Sequence, residues 1–199
     1  IILSTGMEDL DEIKKAVKTI KKHHNKITVL HCTTQYPAPP SDINILSIKL
    51  LKDKLNVKVG FSDHSSGSTA AIMSVALGVN VIEKHITLNN SLDGPDHKTS
   101  LNLKDFKTFV NNIREAEKII GIYRKIPTKI ELKNLPNIRR GVVASKNLLK
   151  GTILKREMLI AKRPFVEIEP DEINKLIGKK IKKNLLQDEP LLWKNVYNK

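Results

Sequence analysis

Four short apolar runs, each followed by a stretch with helical spacing, constrain this chain more than any other feature. The runs are Ile1-Ile2-Leu3, Ile27-Thr28-Val29-Leu30, Val57 to Phe61 and Val79 to Ile86. Helices are expected over residues 8–23, 42–55, 68–77 and 103–120. In the first, Leu10, Ile13, Val17 and Ile20 recur on one face, with acidic residues at the start and Lys at the end, as the helix dipole favours. Ser41 or Asp42 is the expected cap of the second, and Gly78 the stop of the third. Near-continuous apolar strands alternating with helices predict a parallel α/β sheet. Four βα units are half of a (β/α)8 barrel; the alternative is a free-standing doubly wound sheet. No GxGxxG or P-loop glycine pattern opens any of these helices, which weighs against nucleotide binding.

In such folds the chemistry sits where strands end. Here the third and fourth runs end in Ser62-Asp63-His64 and Glu83-Lys84-His85. Two neutral imidazoles from neighbouring strands can share a divalent ion and leave positions open for substrate oxygens. The competing reading is a pair of hydrogen-bonded structural histidines. The polar loop that follows, Leu92-Asp93-Gly94-Pro95-Asp96-His97, can fold over the same mouth and bring Asp96 to substrate hydroxyls; a solvated turn would have the same composition. Thr33-Thr34-Gln35-Tyr36 after the second run, and Ser4 after the first, offer hydroxyl and amide groups suited to phosphate or sugar. Cys32 follows His31 directly, so the two side chains point to opposite faces of a strand, and a buried thiol is expected.

The pattern breaks after Gly121. Pro127 and Pro136 bracket a charged stretch, so residues 1–121 are read as a partial barrel, 122–138 as a linker and 139–199 as a small, β-rich domain. The net charge of +14 is uneven: residues 1–120 hold 16 Lys and Arg against 13 Asp and Glu, and residues 121–199 hold 19 against 8. The excess is Lys dispersed among Ile, Asn and Leu without interleaved aromatics, which disfavours nucleic acid and suits a basic surround for an anionic substrate. No apolar run is long enough to span a bilayer. A single cysteine and no recognisable signal peptide lead to an expected cytoplasmic location.

Taken together, the motifs resemble the N-acetylneuraminate (sialic acid) synthase family, which includes the legionaminic and pseudaminic acid synthases. The stretches that carry the resemblance occur in the family's order. They are Leu3-Ser4-Thr5-Gly6-Met7, Leu30 to Thr33 with Tyr36-Pro37-Ala38-Pro39, Gly60 to His64, Ile82 to His85, Gly94 to His97, and Arg139-Arg140 followed by Lys162-Arg163-Pro164. The resemblance implies the C-terminal half of a (β/α)8 TIM barrel followed by an antifreeze-like (SAF) domain. It implies condensation of phosphoenolpyruvate with an N-acetylated hexosamine, giving a nine-carbon 2-keto sugar acid and phosphate.

It also implies roles. His64 and His85 would bind Mn²⁺, or else Mg²⁺ or Co²⁺. Ser4, Thr34, Tyr36 and Ser62 would line the phosphoenolpyruvate pocket, and Glu83 and Asp96 would hold the sugar and handle protons. Arg163 would reach the sugar's N-acetyl group in the partner protomer of a domain-swapped dimer. Two positions depart from the family: Thr34 stands where Asn is frequent, and Phe165-Val166-Glu167-Ile168 replaces a glycine-containing continuation. The apolar opening at Ile1 leads to the expectation that the chain is part of a longer protein and inactive alone. A non-catalytic carbohydrate-binding module on the SAF fold is the rival reading.

Overall fold

A computed structural model describes residues 1–197, in two compact units, Ile1–Tyr123 and the residues from Arg124 onward. The first is built on a parallel sheet of β1 (Ile2–Ser4), β2 (Thr28–Cys32), β3 (Lys58–Asp63) and β4 (Ile82–Lys84). Between and after the strands come α1 (Leu10–Lys21), α2 (Ser47–Lys54), α3 (Thr69–Ala76) and α4 (Leu103–Ile120). The strands lie in sequence order, each parallel to the next. Parallel crossovers are right-handed, so a sheet that never reverses its order carries its helices on one face. That is the winding of a barrel, and the sheet is half of one; a doubly wound sheet would reverse.

Strand register decides which side chains share a face. Leu3, Val29 and Val59 are paired neighbours, as are His31, Phe61 and Ile82. Val29, Val59 and Phe61 pack on Ile13 and Val17 of α1 and on Ile48 and Leu51 of α2 in one buried cluster. Burying such a side chain contributes about 1.5–3 kcal/mol. The α1 start is fixed by a capping box, in which Asp9 accepts from Asp11 N and Glu12 N while Glu12 returns to Asp9 N. Such a cap contributes about 1 kcal/mol.

The second helix starts later than its sequence suggests. Pro40–Asp42 forms a single 3₁₀ turn, Asn44 takes a positive φ of 43°, and α2 begins only at Ser47. The left-handed residue interrupts the helical path, so Ser41 and Asp42 lie inside the 3₁₀ turn and neither caps α2, whose N-cap position is Leu46.

In the second unit, α5 (Lys129–Ile138) occupies most of the stretch read as a linker. Its capping box, Thr128 with Glu131, is the helix signal that Pro127 before it and Pro136 within it obscure, and none of its residues is buried. β5 (Gly141–Ala144) and β6 (Leu159–Lys162) pair antiparallel, and isolated bridges tie Leu148 to Leu185 and Ile181 to Val196. Short α6 (Ile173–Leu176) closes a core of Val142, Leu154, Leu159, Ile168, Leu176 and Ile181. Among the described residues no helix is long and apolar enough to cross a membrane.

Two measurements check this packing. A Cβ on Gly60 would lie 2.5 Å from Leu30 Cδ2 and 2.6 Å from the Val81 carbonyl oxygen. Gly60→Ala is therefore expected to cost about 1–3 kcal/mol in urea unfolding. His31 lies between the sheet and α2, its Nε2 2.6 Å from the Ile43 carbonyl oxygen, and burial holds its pKa below the ordinary 6.5. The neutral form is the folded one, so the unfolded chain binds more protons on acidification. Stability is full above about pH 6.5 and falls as pH drops towards the depressed folded value. His31→Gln should flatten part of that slope in melting temperatures between pH 7.5 and 5; an unchanged slope would contradict the assignment.

Candidate active site

The two-residue period of a strand sorts the polar ends of β3 and β4. Cys32, Ser62 and Glu83 are register partners across three strands. His64 and His85 follow two residues later, on the same face as Ser62 and Glu83. Asp63 and Lys84, paired at the intervening level, turn to the helix side. The six residues grouped at one rim by sequence thus divide into an open set and a buried pair.

His64 is the hub of the open set. Its Nδ1 lies 2.7 Å from the Thr33 carbonyl oxygen, which can only accept, so Nδ1 carries the proton. Nε2 is then the acceptor of a hydrogen bond that the Tyr36 hydroxyl donates at 2.8 Å. The Tyr36 ring stacks on His64 at 3.9 Å between centroids and lies 4.7 Å from His85; the two imidazoles are 5.6 Å apart. Ser62, buried, donates to Glu83 Oε1 at 2.6 Å, and its Oγ is 3.2 Å from His64 Nε2. Burial is the main reason that His64 titrates below 6.5, and the neighbouring His85 adds to it. Burial also pushes the Tyr36 phenol up, followed by the negative fields of Cys32, Asp96 and Glu83, so Tyr36 stays a donor at neutral pH.

The loop residues take distinct places. Thr34 Oγ1 fills the space that a Cβ on Gly6 would need, so the glycine of Ser4-Thr5-Gly6 lets the first and second loops meet. Ser4 is exposed at the end of β1, level with Leu30 and Gly60 and therefore on the site face. Asp96 is exposed; with His85, Pro95, His97 and Ser100 it lines a cleft of about 380 Å³. Its main-chain carbonyl accepts from Ser100 N and Oγ, which fixes the turn. Arg163 belongs to the second unit, where its Nε donates to the Ile138 carbonyl oxygen at 2.6 Å.

Cys32 is half-buried on the site face, its sulfur 3.7 Å from both ring nitrogens of His64. Alternation correctly separated it from His31 but did not reveal that contact. The Thr33 carbonyl, which sets the His64 tautomer, leaves no side-chain signature in the sequence.

The donor set suits a divalent ion. A backbone acceptor on Nδ1 leaves the other nitrogen's lone pair for a metal, the usual arrangement around ligating histidines. Burial keeps that nitrogen unprotonated, and His85 and the Glu83 carboxylate stand on the same face. No group of three or more His, Cys, Asp or Glu converges to cage an ion among the described residues, so water or substrate oxygens would complete the shell.

Comparison with known proteins bears on the family and the fold. Residues 1–125 match the NeuB family and residues 139–196 the SAF domain. The chain is 42% identical over 192 residues to the N,N'-diacetyllegionaminic acid synthase of Campylobacter jejuni, covering 95% of this chain and 58% of that protein. It is 42% identical over 194 residues to an uncharacterized protein of Methanocaldococcus jannaschii, covering 97% of this chain and 58% of that one. Among solved structures, the N-acetylneuraminic acid synthetase of Leptospira borgpetersenii matches with a TM-score of 0.61 and 34% identity. That match spans 67% of this chain and 47% of the other. The chain thus spans little more than half the length of the curated relatives it matches. With a matching stretch that covers well over half its residues, and a SAF domain after its half-barrel, the chain belongs to the NeuB family.

Proposed function

We propose that this chain provides the metal-holding part of a sialic-acid-type synthase. The reaction condenses phosphoenolpyruvate with an N-acetylated hexosamine, N-acetylmannosamine or a related sugar, and releases phosphate. The observation that carries the reading is the His64 imidazole, with its tautomer set by the Thr33 carbonyl and its Nε2 lone pair aimed at Tyr36 beside His85. Relatives that bear synthase names at 37–42% identity support it.

His64 and His85 would hold the ion, Mn²⁺ first and Mg²⁺ or Co²⁺ as alternates. The ion would supply Lewis acidity towards the sugar's aldehyde oxygen. The chain's own groups take separate roles around it. Ser62 holds the Glu83 carboxylate in one orientation, ready to accept from a sugar hydroxyl or move a proton. Asp96, on the cleft shared with His85, orients a second hydroxyl. Tyr36, kept protonated, can turn its hydroxyl from His64 to an oxygen of phosphoenolpyruvate, with Ser4 and Thr34 on the neighbouring loops. Arg163 would contact the N-acetyl group from the partner protomer of a domain-swapped homodimer. The excess Lys of the C-terminal part favours encounter with a multiply charged anion. We place the protein in the cytoplasm, where phosphoenolpyruvate is made.

Two experiments test this. His64→Ala and His85→Ala should each weaken Mn²⁺ binding at least about tenfold, read from the free-ion signal in electron paramagnetic resonance. Equal binding by wild type and both variants would remove the metal centre. With phosphoenolpyruvate, N-acetylmannosamine and Mn²⁺, the 199-residue chain alone is expected to release no phosphate, because Glu83 lies exposed on an open sheet face. Robust turnover would overturn that expectation.

A further inference from the structure

The buried pair on the other face of β3 and β4 has no part in the chemistry above, yet it touches both histidine-bearing segments. The side chains of Asp63 and Lys84 are 0% and 4% exposed, and Lys84 Nζ meets Asp63 Oδ2 at 3.1 Å, an ion-pair contact outside hydrogen-bond geometry. Asp63 Oδ1 accepts from Ser65 N at 2.9 Å and from Ser65 Oγ at 2.6 Å. Lys84 Nζ donates to the Ser65 carbonyl oxygen and lies 5.5 Å above the Phe109 ring of α4. Residues 63 and 65, on either side of His64, are therefore gripped by the residue that stands between Glu83 and His85. A second tie runs from Ala38 N to the His64 carbonyl oxygen at 2.9 Å.

We propose that Asp63 and Lys84 are positioning residues, a clamp that sets the His64–His85 separation from behind the sheet and thereby tunes divalent-ion affinity. The reason is energetic. Isolating two charges from water costs about as much as their attraction returns, so a buried pair is weak evidence for stability and better evidence for geometry. An apolar pair would hold two strands together as well, but would not direct donors and acceptors at all three polar groups of Ser65. The affinity part of this inference rests on the metal-centre reading; the alignment part does not.

The test uses the single cysteine as a built-in reporter, since the Cys32 sulfur lies against the His64 ring. In the double variant Asp63→Asn, Lys84→Met no unpaired charge is left, and the side-chain amide oxygen introduced in place of the carboxylate can still accept from Ser65 N. Its melting temperature is expected to stay within a few degrees of wild type. Its Cys32 should react with a thiol reagent at least five times faster, and its Mn²⁺ affinity should fall at least tenfold. Val17→Ala, a core change in α1 remote from the clamp, should lower the melting temperature without changing either value. A double variant with wild-type Cys32 reactivity and Mn²⁺ affinity overturns the proposal, as does a Val17→Ala variant that shifts both equally. If the wild-type chain takes up no Mn²⁺, the metal-centre reading fails while the Cys32 rate still decides the clamp. Should the double variant not fold, Ser65→Ala, which deletes one donor to Asp63, decides by the same rate: at least a twofold rise supports the clamp and no change refutes it.

Discussion

The alternation of side chains along β3 and β4, locked by their parallel register, is the constraint on which the site depends. Ser62↔Glu83 and Asp63↔Lys84 are consecutive pairs on opposite faces. A slip of one residue in either strand would exchange them, putting an ion pair at the open face and an imidazole among the helices. The apolar set on the helix side resists the slip, because Phe61 and Val59 would leave the core with it. Placement of the histidine-bearing face and core formation are thus the same event in this sheet.

That coupling also explains the electrostatics. The site face is polar but not strongly charged: one carboxylate oriented by a serine, one phenol whose pKa burial raises, and the His64 imidazole, whose pKa burial lowers. Groups in these states can accept a cation or an anionic substrate without first shedding a proton or a counter-ion. The formal charges that could compete lie behind the sheet, in a pair that neutralises itself.

Much of this was legible in the sequence, and the shortfalls have physical causes. The four βα units were visible because short apolar runs alternate with segments of helical spacing, most clearly in α1 and α4. Which of Ser62 to His64 shares a face with Glu83 was equally available from the period of two, yet grouping them by proximity to a strand end hid the division. The late start of α2 is not legible because a left-handed Asn44 looks like any other polar residue in the sequence. That the stretch between the two domains is helical over Lys129–Ile138 is hard to see in the sequence, because Pro127 and Pro136 outweigh the Thr128–Glu131 capping box. The tautomer of His64 depends on a main-chain oxygen, which composition does not encode. The resemblance to the synthases rested on motifs in order, and its family assignment holds for both units.

The sheet order has one more consequence. Among the described residues β1 and β4 each pair on one side only, so each offers a row of backbone donors and acceptors along its outer edge. On β1 that row runs beside Ile2, which is 58% exposed. An unpaired apolar edge is a template for any strand that can reach it. Strand addition to this sheet is therefore open at its two outer edges and closed at the β2 and β3 positions between them.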